Sequence, residues 1–289
     1  MSHLVRTAVA ATIVLFVSDC ADLKAVRKFS DDTTTLTGAV ALLIQDSPES
    51  CRRRLAGDTV IRNLAGPDQE RAKQACDEVA KAVAAIADLN NVTLAYAKAL
   101  GALADDKLAV YSADLRAVKA SAALLKDGAD KPYIDKSKLD AAGSLADLIL
   151  KAFTEGYRQR EIAKMLTKHD DLAKQADFLK RFISRGYVQF LTNEEGNLES
   201  TSDYLTKTYG KTEPLRAREL KRDLGQLQQK LADRKKGAQG TLKALDDMVA
   251  AHQKLREDVD NLSPKELLDL LDNYGKSISD VRKSLQAAF

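Results

Sequence analysis

The chain has 289 residues, of which 45% are hydrophobic, enough for a sizeable core in one or two domains. Trp is absent, aromatics make up 5%, and there are only 14 Gly and 5 Pro, which disfavours a turn-rich all-β fold and favours helices built from Ala, Leu and Lys. The 45 Lys and Arg against 42 Asp and Glu leave a net charge of +3, without the basic excess of nucleic-acid binders, and 3 His with 3 Cys supply little material for metal or nucleophile chemistry.

The chain opens with a short segment, MSHLVR, that carries one certain positive side chain, Arg6. Thr7 to Val17 (TAVAATIVLFV) is uncharged and mostly apolar. As a helix it spans roughly 16 Å, about half of the ~30 Å hydrocarbon core. That is too short to cross a bilayer and suits the h-region of a signal peptide. Val17-Ser18-Asp19-Cys20 follows. Over these first 20 residues the chain resembles a bacterial lipoprotein, with Val17, Ser18 and Cys20 at their lipobox positions and Asp19 where that class places Gly, Ala or Ser. The resemblance implies a signal peptide over 1–19, acylation of Cys20 as the mature N-terminus and a membrane tether. By the enterobacterial sorting pattern, Ala21 implies the outer membrane, facing the periplasm. A plain secretion signal with an incidental Cys, and an uncleaved anchor or a cytosolic protein, are the other readings of the same residues.

Removing Cys20 leaves Cys51 and Cys76, an even number as expected in an oxidising compartment. Between them Ala56 to Pro67 (AGDTVIRNLAGP) holds Gly57, Gly66 and Pro67 and reads as the turn of a helical hairpin. Two helices leaving that turn in opposite directions bring Cys51 and Cys76 to similar height, so a disulfide is expected there. Two buried free thiols are the alternative.

After Cys20 the dominant signal is helical periodicity. Phe29, Leu36 and Leu43 recur every seven residues, as do Val26, Thr33 and Val40, an a/d stripe on a helix over roughly 22–45. Ser30 to Thr35 weakens that helix, because such side chains compete for backbone hydrogen bonds. Ser47-Pro48-Glu49 predicts a restart, with Ser as N-cap and Pro at N1. Pro67 opens a long helix to about Ala104, and 107–126 predicts another. The stretch 127–138, with Gly128 and Pro132, predicts a loop. From Leu139 to Tyr209 the stripe includes Leu145, Ile149, Ala173, Ala176, Leu179, Ile183, Gly186 and Phe190, with breaks expected at Gly156 or near Asn193 to Asn197. Thr212 to Pro214 starts a helix with Leu220, Leu224, Leu227 and Leu231 in heptad register. Its phase slips at Gly237 and Gly240, a stutter that predicts a kink, a turn or a close packing point. Ser263-Pro264-Lys265-Glu266 is a capping box with Pro at N1, followed by Leu267, Leu271, Tyr274, Ile278, Val281 and Leu285. No stretch reads as strand. The expected fold is all-α, an elongated antiparallel helical bundle with coiled-coil-like packing, forming a single domain over 20–289.

Catalytic patterns are missing. There is no His pair at i, i+4, no Cys-x-x-Cys, no phosphate-binding Gly-rich loop, no G-x-S-x-G and no Glu-x-x-His. The sequence calls for no cofactor and no metal. His169, beside Asp170 and Asp171, reads as solvated helix surface, and His252 as a satisfied core histidine. Adjacent carboxylates such as Glu194-Glu195 diverge on a helix and form no shared acid/base site. Arg52, Arg53 and Arg54 form a candidate anion-binding patch. Phe178, Phe182, Tyr187, Phe190, Tyr204 and Tyr209 are expected to form a core layer, with a partner-contact patch as the alternative. The expectation is a non-enzymatic envelope lipoprotein, a scaffold, adaptor or binding module that partners the membrane through its lipid and an envelope protein or itself through its bundle. The alternative is a membrane-active helical protein resembling α-pore-forming toxins in general shape, on the strength of the apolar run Leu36 to Ile44 (LTGAVALLI).

Overall fold

In the computed structural model, which describes residues 5–62, 65–105, 136–152, 158–258 and 264–289, every regular element is helical. Helix α1 runs Val5–Arg62 and α2 Pro67–Asp105. Helices α3 (Lys136–Ala152), α4 (Arg158–Leu166) and α5 (His169–Arg181) follow. A π-helical turn, Phe182–Tyr187, joins α5 to α6, Val188–Tyr209. Helices α7 (Pro214–Glu257) and α8 (Pro264–Ala288) complete an all-α antiparallel bundle. The expected helix over 107–126 and break at Gly156 fall outside the described residues. So does most of the expected 127–138 loop, and its end is corrected, because α3 already begins at Lys136.

The heptad stripe of α1 forms the centre of the core. Phe29, Leu36, Val40 and Leu43 are wholly buried, and α1 packs against α2, α6, α7 and α8. The polar run that should weaken α1 is absorbed by its neighbours. Ser30 Oγ donates to the Ala97 carbonyl at 2.8 Å, and Thr33 Oγ1 hydrogen-bonds Tyr274 Oη at 3.0 Å. A Cβ on Gly101 would overlap Ser30, so α1 and α2 approach closely there. The Leu36 to Ile44 run supplies core residues, with only Leu42 of its large side chains exposed.

The restart expected at Ser47-Pro48 does not occur: Pro48 lies inside α1. Ser47 is not an N-cap; its Oγ donates back to the Leu43 carbonyl at 2.8 Å. Pro costs the helix one hydrogen bond, but Asp46 and Arg53 on either side are both fixed to other helices, and tertiary contacts carry the helix through. Chain reversal comes at Gly66, whose φ of +58° suits a residue without Cβ.

A second correction concerns the stripe after Ile183. Gly186 and Phe190 are only half-buried, and the buried line instead passes through Tyr187, Leu191 and Glu194. The wider π turn shifts the phase of everything beyond it. The helix also continues through Asn193 to Asn197, where a break was expected, because Glu194 and Asn197 are both anchored to α1. The break falls instead between α4 and α5, at Thr167 and Lys168.

The stutter on α7 is a close packing point. The helix is unbroken from Pro214 to Glu257. A Cβ on Gly237 would overlap Leu285, and one on Gly240 would press on Val281 at 3.0 Å. Here α8 lies directly on the α7 backbone, and its predicted stripe from Leu267 to Leu285 is buried throughout.

Candidate functional site

Three features of the bundle bear on function: a covalent clamp, a buried ionic cluster and a buried imidazole pair. The clamp joins α1 to α2. Cys51 and Cys76 sulfurs lie 2.03 Å apart, with Cα atoms at 5.6 Å, as the hairpin geometry predicts. Both residues are buried.

The ionic cluster sits one turn away. Arg53 on α1 forks between two carboxylates. Its Nε donates to Glu194 Oε1 at 2.6 Å, and its Nη1 lies 3.0 Å from Asp46 Oδ1. Ser50 Oγ donates to Glu194 Oε2 at 2.7 Å, and Tyr187 Oη donates to Asp46 Oδ2 at 2.7 Å. Arg234 on α7 completes the group at 3.7 Å from Asp46 and 3.8 Å from Glu194. Two guanidinium groups thus face two carboxylates across three helices. Burial works against the charge on Arg53, but its hydrogen bonds to Glu194 and Asp46 outweigh it and hold its pKa above the usual value. Burial and the neighbouring Asp46 carboxylate push the Tyr187 phenol up. A buried charge set of this kind persists only when each member is paired, because desolvation is costly.

This arrangement redistributes the predicted arginine patch. Arg53 is spent in the cluster, and Arg52 pairs with Glu49 at 2.5 Å and lies 3.7 Å from Asp77. Arg54 is half-buried. The three side chains therefore do not converge on one surface, because consecutive helical residues point about 100° apart. Glu194 and Glu195 diverge as expected: the first enters the cluster and the second pairs with Lys235.

His252 lies fully buried on α7 among Phe29, Tyr96 and His169, with ring centroids 5.4 to 5.6 Å away. Its Nε2 is 2.6 Å from Tyr96 Oη, and its Nδ1 is 3.2 Å from His169 Nδ1. Tyr96 Oη donates to the Met165 carbonyl at 2.9 Å. With that proton committed, His252 Nε2–H donates to Tyr96, and its bare Nδ1 accepts from His169 Nδ1–H. One tautomer assignment satisfies the chain of bonds. Burial, then His169, then Arg256 lower the His252 pKa to about 3. His169 is lowered too, by burial and by Arg256, against the opposing pull of Asp170 and Glu257. His252 is thus a satisfied core histidine. His169 is not the solvated surface residue the sequence suggests, since it stacks on His252. No group of His, Cys, Asp and Glu able to hold a metal ion occurs among the described residues.

The aromatic segment divides. Tyr187 is buried and Phe178, Phe182 and Phe190 are half-buried, but Tyr204 and Tyr209 are exposed. Between Glu195 and Lys230 no residue is buried. The end of α6 and the start of α7 thus form an arm without core residues, with α1 still lying against its base at Asn197 and Thr201. Of the heptad leucines on α7 only Leu231 enters the core; Leu220 and Leu224 are half-buried and Leu227 is 47% exposed, and outside the heptad Leu215 is 78% exposed. The heptad register was legible, but nothing in it tells whether a third helix covers the seam.

No helix among the described residues searched is long and apolar enough to cross a membrane. Comparison of the chain with models of known families, with curated proteins and with solved structures yields no match.

Proposed function

We propose that the protein is a non-enzymatic cell-envelope scaffold, tethered to a membrane through an acylated Cys20 and presenting a helical bundle to an envelope protein or to a second copy. The observation that carries this reading is the Cys51–Cys76 bond. Such bonds form and persist in oxidising compartments, in keeping with the export signal read in Arg6, Thr7 to Val17 and Cys20. The clamp lies near the turn between α1 and α2, where it keeps the two long helices in register.

The arm supports the binding-module part of the reading. On it Leu215, Leu227, Tyr204 and Tyr209 stand exposed, residue types that anchor protein interfaces. Over 195–230 the seven Lys and Arg are nearly matched by six Asp and Glu, so the exposed apolar side chains, and not net charge, are what the arm offers a partner.

Membrane fractionation of the Cys20→Ala chain tests the tether, and photo-crosslinking from Leu227 tests the arm. Release of the variant into the soluble envelope fraction, with crosslinks from Leu227 that vanish when Leu215 and Tyr204 become Ser, is the expected result. A variant that stays with the membrane, or an arm that crosslinks to nothing, refutes the corresponding half.

A further inference from the structure

A trench of about 450 Å³ runs between α1 and α8, within the ~300–1,000 Å³ range of small-molecule sites. Its walls are apolar: Leu42 from α1, and Ile278, Leu285 and Phe289 from α8. Leu42 and Phe289 remain 40% and 49% exposed. Along α8 the lining residues span 278–289, about 16 Å of helix, so the trench is elongated rather than round.

Two residues narrow the choice of occupant. Gly38 lies in the trench wall in the interior of α1, where a Cβ would meet nothing within 4 Å. Glycine weakens a helix interior, and no packing contact requires it here. Its effect is to keep the trench open, as glycine does where a backbone must come close to a ligand. Arg282 is the cation in the lining. It is exposed, and no carboxylate pairs with it among the described residues. An elongated apolar trench with an unmatched guanidinium at its rim is complementary to one apolar chain ending in an anion.

The geometry points to a binding site for a single-chain amphiphile with an anionic head group, its acyl chain lying over Gly38 between Leu42 and Leu285 and its head paired with Arg282. The head-group oxygens can be those of a fatty-acid carboxylate or of a lysophospholipid phosphate, and both pair with guanidinium. Phe289 closes one end, and its ring also lies 5.1 Å from the Arg234 guanidinium, which connects the trench to the ionic cluster.

Isothermal titration of the full chain with laurate, with a lysophosphatidylglycerol and with dodecyltrimethylammonium, each below its micelle concentration, tests the site. One-to-one binding of either anionic probe is expected, with the cationic probe weaker by at least about fivefold. Binding of laurate alone assigns a carboxylate head, and of the lysolipid alone a phosphate head. A Cβ at Gly38 meets nothing within 4 Å, so Gly38→Leu should keep the helical content, fill the trench and lose binding more than tenfold. Arg282→Gln should weaken binding about fivefold and flatten its salt dependence. If Gly38→Leu fails to fold, Leu42→Glu, at an exposed position, sets a negative charge at the rim and should give the same loss. Absence of binding by either anionic probe, equal binding of the cationic probe, or wild-type affinity in Gly38→Leu and Leu42→Glu overturns the proposal.

Discussion

The Nδ1 atoms of His169 and His252 lie 3.2 Å apart, so only one of them can carry a hydrogen while both rings are neutral. Tyr96 and the Met165 carbonyl fix which one from the other side. The charged groups facing the pair are Arg256 and Glu257 from α7 and Asp170 from α5. None of them is a carboxylate buried against His252, so nothing inside the core welcomes a second proton there.

The pH dependence of stability follows. His252 is held at about 3, against 6.5 for a free imidazole. Between those values the unfolded chain binds a proton that the folded chain excludes. Stability is therefore fully present above 6.5 and falls as the pH drops towards 3, by up to about 1.4 kcal/mol per pH unit. Urea midpoints measured from about pH 7 to pH 4 should show this slope in the wild type and lose most of it in His252→Phe. An unchanged slope in the variant would assign the acid sensitivity to other groups.

The ionic cluster responds to single and paired substitutions in opposite ways. Glu194→Ala leaves Arg53 and Arg234 facing Asp46 alone, an imbalance expected to cost about 3–5 kcal/mol. Removing Arg53 together with Glu194 should cost less than the sum of the two single changes, because neither charge is then stranded. Chemical denaturation of the three variants measures the coupling. Strict additivity would show that the helices are held by packing and that the charges are incidental.

The contact of α7 with α8 at Gly237 is a steric prediction. Because a Cβ there overlaps Leu285, Gly237→Ala should destabilise by about 1–3 kcal/mol, although Ala is the better helix former. At Gly225 on the arm, where a Cβ meets nothing within 4 Å, the same change should stabilise by roughly 0.5–1 kcal/mol. Thermal melts of the two variants should move in opposite directions.

The sequence disclosed the parts of this fold that repeat. The stripes of α1 and α8 are periodic and apolar, and their residues entered the core where the spacing placed them. The Cys51–Cys76 pairing was readable because a turn lies near the middle of the intervening segment. Pro48 was misread because local propensity could not see Asp46 and Arg53 gripping other helices on either side of it. The phase beyond Ile183 was misread because a π turn leaves no mark in composition. The ionic cluster was illegible for a related reason. Asp46, Arg53, Glu194 and Arg234 each look like ordinary helix-surface charges, and only the packing of three helices brings them together. His169 was assigned to solvent because its partner lies 83 positions away.

The disulfide has its own prediction. The loop it closes spans 25 residues, for which the chain-entropy account gives roughly 3 kcal/mol. Cys51→Ser with Cys76→Ser should lose about that much stability, and reduction of the wild type should lose the same amount. A double variant as stable as the oxidised protein would show that the clamp does not stabilise the fold.

The envelope tether is tested most directly by intact and N-terminal peptide mass spectrometry of the protein taken from cell membranes without reductant. The account predicts a mature chain beginning at an acylated Cys20 and carrying a Cys51–Cys76 crosslink. A chain that still begins at Met1, with both thiols free to react with alkylating reagent, would contradict it.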